Sequence, residues 1–177
     1  MTDSKEIWIQ TGYSTFALFG KNGLKIDTLA RKVGISKSSF YHHFAELEIF
    51  IDYLLKHHIE QSYIIADKER KANNIDSELI EILIYHKIDL LFNRQLRINR
   101  DIKAYSDALS LSNQIIGDAF VMLWVKDLKL ELTQKQLEGL FELALENFYL
   151  QITNENLNEI WLTEYFTNLK KIARNFA

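Results

Sequence analysis

The side chains best equipped for chemistry are concentrated in the run Lys25-Ile26-Asp27-Thr28-Leu29-Ala30-Arg31-Lys32-Val33-Gly34-Ile35-Ser36-Lys37-Ser38-Ser39-Phe40-Tyr41-His42-His43-Phe44. Leu29, Val33, Ile35 and Phe40 are spaced to seal two short helices against each other and against a third. Ala30 allows close approach, and Gly34 supplies a left-handed turn residue. This is the arithmetic of a helix-turn-helix. Its second helix opens at Ser36, whose hydroxyl can cap it. The first turn then offers Lys37, Ser38 and Ser39 to a major groove, while Phe40 points inward. Tyr41 and His42 follow on the outer side. Charge agrees: between Lys21 and His43, Lys21, Lys25, Arg31, Lys32 and Lys37 stand against Asp27 alone, a balance of +4 in a chain whose net charge is −3. A positive field confined to one segment suits phosphate contact.

Other chemistries find no such constellation. There is no Gly-rich phosphate loop, GxSxG or HExxH, and the absence of cysteine removes disulfides, thiolate metal sites and cysteine nucleophiles. The adjacent pairs His42/His43 and His57/His58 point about 100° apart on a helix and cannot jointly grip a metal. Carboxylates such as Glu131 and Glu138 fall on polar faces, so none is expected in the apolar surroundings that raise a pKa. No enzyme activity, cofactor or metal is expected. His86, on an otherwise apolar helix, reads either as a satisfied core histidine or as a pocket group.

The elements that must position these residues are helices. The 177 residues include no proline, against a usual share of about 5 %, and four of the six glycines fall within the first 34 residues. Tight turns therefore belong to the first segment, and long helices to the rest. Expected helices are Ser4 to Phe19, Ile26 to Val33, Ser36 to Phe44, Leu47 to about Ala66 with a break over Asp67 to Asn74, and Asp76 or Ser77 to about Leu96. Beyond these come Asp101 to Leu109, Asn113 to Leu128, a helix to Ile152 opened by the Thr133/Gln136 capping box, and a last one from Asn156 or Asn158 to about Asn175. The fold class is all-α with about nine helices: a helix-turn-helix head over residues 1–46 and a larger helical bundle over 47–177. The polar N-terminus and the shortness of the densest apolar stretch, Val121 to Val125, point to a soluble, cytoplasmic protein without a membrane segment.

Phe16-Ala17-Leu18-Phe19, Gly23, Leu29-Ala30, Val33-Gly34-Ile35-Ser36 and above all Phe40-Tyr41-His42-His43-Phe44 resemble the N-terminal domain of the TetR family of bacterial transcriptional regulators, over about residues 5–56. The resemblance implies a three-helix DNA-binding head, a fourth helix linking it to a ligand-binding and dimerisation body, and repression relieved by a small molecule. Carried over by position, it places Lys37, Ser38 and Ser39 on base edges, and Tyr41 and His42 on phosphate or a thymine methyl. It sets His43 near the DNA backbone and Lys25, with Thr28, at the phosphate-facing start of the second helix. Leu47 departs from the family, which commonly has Lys there, and Glu46 beside it repels phosphate. The alternative is thus a helical sensor or interaction protein whose DNA-binding head is weakened or lost.

The body carries two further expectations. Phe141, Leu145, Phe148 and Ile152 on one helix, with Leu162, Tyr165, Phe166, Leu169 and Ile172 on the next, form stripes for a two-fold homodimer that would read an operator of two related half-sites. Leu143 and Leu150 begin a second stripe, and Ile160 with Trp161 widens the other helix's face. A pocket for an unknown small-molecule effector is expected around His86, Phe92, Tyr105, Asn113, Phe120, Trp124 and Phe148. With no buried charge foreseen, its ligand would be uncharged or weakly charged, aromatic or lipid-like.

Overall fold

A computed structural model describes residues 3–128 and 133–174. Helix α1 (Ser4–Phe19) is capped by Asp3, whose carboxylate accepts the Lys5 amide at 3.1 Å. The cap expected of Ser4 is displaced by one residue, and Ser4 Oγ instead meets His43 Nε2 at 2.7 Å. Gly20, at φ +63°, ends α1. After one 3₁₀ turn (Lys21–Gly23) come α2 (Ile26–Val33) and α3 (Lys37–Phe44), joined through Gly34 in the left-handed region at φ +70°, ψ +21°. That turn is the one the sequence requires. Trp8, Phe16, Leu29, Phe40, Phe44 and Phe50 are fully enclosed, and the Trp8–Phe40 and Phe40–Phe50 ring pairs meet near edge-on. Ser36, expected to cap α3 with its hydroxyl, makes no side-chain capping bond.

The corner between α3 and the next helix turns on Ala45, at φ +58°, ψ −49°, with the Glu46 amide donating to Phe44 O at 2.6 Å. This is a γ-turn of the rarer, strained kind. Helix α4 (Leu47–Lys71) then runs 25 residues, past the break expected at Asp67. Polar residues do not stop it because they divide by face: Asp67 and Lys71 pair at 2.6 Å on the solvent side, while Glu69 turns inward.

Asn74, not Asp76 or Ser77, caps the following segment, its side chain accepting the Ser77 and Glu78 amides. A π-turn (Ile75–Leu79) leads into α5 (Ile80–Tyr85), and His86 separates it from α6 (Lys87–Ile98), where one unbroken helix was expected. The division lets α5 pack on α9 while α6 lies along α1. Conversely, the two helices expected over 101–128 are a single α7 (Lys103–Leu128). The polar residues that suggested a gap are absorbed sideways: enclosed Ser112 meets Ser62 Oγ at 2.9 Å and accepts the Asn93 amide at 3.2 Å.

By length and composition α7 could cross a membrane, contrary to the reading from Val121–Val125. Its Tyr105, Leu109, Ile115, Ala119 and Leu123 are instead buried, and its most extensive partner is α4. Helix α8 (Gln134–Gln151) has the expected Thr133/Gln136 capping box, and α9 (Glu159–Arg174) is capped by Asn158, which accepts the Trp161 amide at 3.1 Å. Glu131 and Asn175 lie outside the described residues. Among those described there are nine α-helices and no strand, an all-α fold.

Candidate functional site

Three places gather the side chains capable of function. The first is the outer face of the head. On α3, Lys37, Ser38, Tyr41 and His42 are exposed, Tyr41 by 52 %, whereas Ser39 and His43 are half-buried. The Phe40 side chain anchors this helix, and its ring supports Tyr41 edge-on at 5.6 Å. Lys25 is exposed and makes no side-chain capping bond for α2, and Thr28 is half-buried within 3.5 Å of Arg31 Nη2. Acidic neighbours temper the positive field: Lys37 pairs with Asp27, and Lys21 lies 4.0 Å from Glu48. Leu47 is half-buried against the aromatic core, so the position that departs from Lys serves packing.

The second place joins α1 to the body. Tyr13 Oη lies 2.8 Å from both Asp89 Oδ1 and His58 Nδ1, His86 Nδ1 lies 2.7 Å from Asp89 Oδ2, and Lys68 Nζ lies 2.8 Å from His86 Nε2. A phenol has one proton to give. With that proton on Asp89, Tyr13 accepts from His58 Nδ1–H, His86 donates from Nδ1, and Lys68 donates to His86 Nε2. Every member of the chain is satisfied at those atoms, and both Asp89 oxygens are used. Burial pushes the His58 imidazole down to about 4 against a smaller opposing pull from Asp89. Burial, reinforced by Asp89, also holds the Tyr13 phenol well above its ordinary range. Both stay uncharged at neutral pH.

The third place is a cavity of about 40 Å³ between α4 and the α7–α8–α9 side of the body, room for about three waters. Its walls are apolar, with Phe120, Phe141, Phe148 and Phe166 among them, but they include Glu69. Glu69 is 1 % exposed, and neither of its oxygens has a hydrogen-bond partner within the protein. Burial pushes this carboxyl up to about 8, with Arg70 pulling weakly the other way. A buried acid was not foreseen from sequence, because Glu69 lies within the polar run Asp67 to Asn74. The signal that finds it is the spacing His58, Ser62, Ile65, Glu69, which continues α4's inward stripe.

Several expected site residues lie elsewhere. Phe120 and Phe148 line the cavity, whereas Trp124 borders a neighbouring void of about 10 Å³, one water. His86 is committed to Asp89 and Lys68. Phe92 stacks on Tyr13 at 4.3 Å and His58 at 4.8 Å, Tyr105 meets Phe16 edge-on, and Asn113 accepts from Arg97 at 3.3 Å. None of these four lines the cavity: His86, Phe92 and Tyr105 build the junction and its surroundings, and Asn113 joins the Arg97–Glu146 pair. The stripes expected at a dimer interface are likewise largely internal: Phe141, Leu145, Phe148, Tyr165, Phe166 and Leu169 line the cavity, and Ile152 and Leu162 are fully enclosed. The denser stripe of each helix closes the chain's own core, leaving the sparser one exposed. Leu143 (73 % exposed), Leu150 (72 %), Ile160 (76 %) and, from the expected set, Ile172 (49 %) face outward.

No protein-family model and no curated protein sequence matches the chain. Solved structures do. A transcriptional regulator from Rhodococcus sp. Rha1 superposes with TM-score 0.71 at 10 % identity, covering 98 % of this chain and 97 % of that one. A Rhodococcus sp. protein assigned to the TetR family gives 0.56 at 16 % identity over 96 % and 100 % of the two chains. Another so assigned, from Mesorhizobium loti MAFF303099, gives 0.61 at 14 % over 95 % and 93 %. The shared architecture spans head and body alike, and the fold of this chain is that of the TetR-family transcriptional regulators.

Proposed function

We propose that the protein is a DNA-binding transcriptional regulator, a cytoplasmic repressor that acts as a homodimer and is released by a small molecule, without enzymatic activity or cofactor. The observation that carries this reading is α3: an exposed row of Lys37, Ser38, Tyr41 and His42 on the second helix of a helix-turn-helix, held rigid by Phe40 and Phe44 beneath it. Lys25 and Thr28 flank it toward phosphate, with Ser39 and His43 at its inner edge. The head spans residues 1–46 and the effector and dimerisation body residues 47–177. Leu143, Leu150, Ile160 and Ile172 form the apolar surface through which two protomers pair, spacing two heads for two half-sites. Helix α4 is the mechanical link: Leu47 packs on the head, and Glu69, about 33 Å along the axis, lines the cavity. A ligand that prefers one setting of α4 changes the spacing of the heads.

Selection from random duplexes tests the reading and is expected to enrich a two-part site bound with salt-dependent affinity. Tyr41→Ala and Lys37→Ala should each weaken that site by about 1–3 kcal/mol in an electrophoretic or fluorescence titration. A second reading, a helical sensor with a disabled head, draws on the acidic partners of Lys37 and Lys21. Enrichment of no sequence would establish it instead, and a monomeric mass at micromolar concentration would remove the dimer.

A further inference from the structure

The cavity combines two features: walls of aromatic and aliphatic side chains, and a buried Glu69 whose carboxyl oxygens both lack a hydrogen-bond partner within the protein. Left alone, such a group weakens the fold, because a buried polar atom without a hydrogen bond costs on the order of kilocalories. The protein does not supply the missing partner. None of the lining side chains is cationic. Nearby Arg97 stacks on the Tyr149 ring at 4.8 Å and pairs with Glu146, and Lys68, one residue before Glu69, is committed to His86.

We propose that the cavity takes an organic monocation, a protonated or quaternary amine carried on an apolar or aromatic body, with the Glu69 carboxylate as its counter-ion. The inference deepens the regulator reading and rests on it for the ligand's effect on DNA. An anion finds no positive group in these walls. A neutral hydrocarbon fills the space but leaves the Glu69 oxygens as they are. A cation answers both requirements, since the carboxylate supplies charge and the faces of Phe120, Phe141, Phe148 and Phe166 supply a surface that attracts cations. The present volume suits a small ammonium head group, and the remainder of the ligand is accommodated by parting α8 and α9, whose side chains make most of the wall. Burial keeps Glu69 protonated at neutral pH, so a cation that carries no proton of its own displaces one proton as it binds.

Calorimetry on the full chain at pH 7, in buffers of different ionisation heat, separates the possibilities. The probes are phenethyltrimethylammonium, its uncharged tert-butyl carbon isostere, and phenylpropionate. The ammonium ion is expected to bind at least about tenfold more tightly than the isostere, a factor worth about 1.4 kcal/mol, and to release about one proton. The isostere should release none, and phenylpropionate should not bind. In Glu69→Gln the ammonium preference and the proton release should vanish while the isostere binds as before. Glu69→Leu should behave alike if the amide variant folds poorly. Equal or tighter binding of the isostere, or an ammonium preference that survives Glu69→Gln, overturns the proposal. So does the binding of no probe by a protein that still selects a duplex, which leaves the DNA reading intact. Glu69-dependent ammonium binding by a protein that selects no duplex supports the site and removes the regulator reading.

Discussion

Asp89 and Glu69 are buried carboxyls in the same helical body, on α6 and α4, and their surroundings are opposite. Asp89 has Tyr13 on one oxygen and His86 on the other, and those partners are themselves engaged by His58 and Lys68. The network ties α1 of the head to α4 and α6, so a charge buried there is anchored on every side and serves to fix the head on the body. Glu69 has no hydrogen-bond partner within the protein at either oxygen and sits among aromatic rings. Burial is common to both; hydrogen bonding from within the protein separates them. Helix α4 carries both environments along one stripe, with His58 at the junction, Ser62 between, and Glu69 at the cavity.

The largest expected effect comes from breaking the satisfied side. Asp89→Leu strands Tyr13, His58 and His86 away from water and should lower the free energy of unfolding by about 3–5 kcal/mol in denaturant melts. A loss below about 1 kcal/mol would show that the network contributes no anchoring.

The unsatisfied side is read through pH. Below the ordinary glutamate value of 4.5, Glu69 is neutral both folded and unfolded; between 4.5 and about 8 the native state holds a proton that the unfolded chain has given up, so stability falls as pH rises. His58 acts oppositely: between about 4 and 6.5 the unfolded chain binds a proton that the native state refuses, so stability rises with pH. The two slopes cancel from pH 4.5 to 6.5, and Glu69 alone is left from 6.5 to 8, where the loss should be about 2 kcal/mol. Arg70 and Tyr149 are the charged and titratable groups that act on or around Glu69, and Asp89 and His57 those that act on His58. Melts of Glu69→Gln should lose the decline above pH 6.5 and gain a rising limb below it. A wild-type protein equally stable at pH 6.5 and 8 contradicts the assignment.

The smallest effect sharpens the middle of the stripe. Ser62 donates to His58 O at 2.8 Å and meets Ser112 Oγ at 2.9 Å, neutral bonds well short of a charged network. Ser62→Ala should cost about 1 kcal/mol, read as a small fall in denaturation midpoint. A cost matching that of Asp89→Leu would mean that the stripe responds as one unit.

Sequence alone placed the turn and the outer row of α2 and α3, because those signals are local: Gly34 at the left-handed turn, Phe40 inward, and Lys37 and Tyr41 outward lie within a few residues of one another, whereas the core that seals them draws Trp8 from α1 and Phe50 from α4. It also determined the all-α class, through the missing prolines and the Thr133 capping box. The total of nine helices among the described residues was reached through two opposite departures: a break at His86 that no Gly or Pro announces, and a continuous α7 whose Ser112 finds partners on other helices. Only the tertiary structure decided which apolar stripe of α8 and α9 closes the core and which stays outside, since both have helical spacing. It also decided that Glu69, between Lys68 and Arg70, points into apolar space. A polar residue's burial depends on what the far side of the bundle presents to it, and that information lies up to a hundred residues away in the chain, beyond the reach of local periodicity.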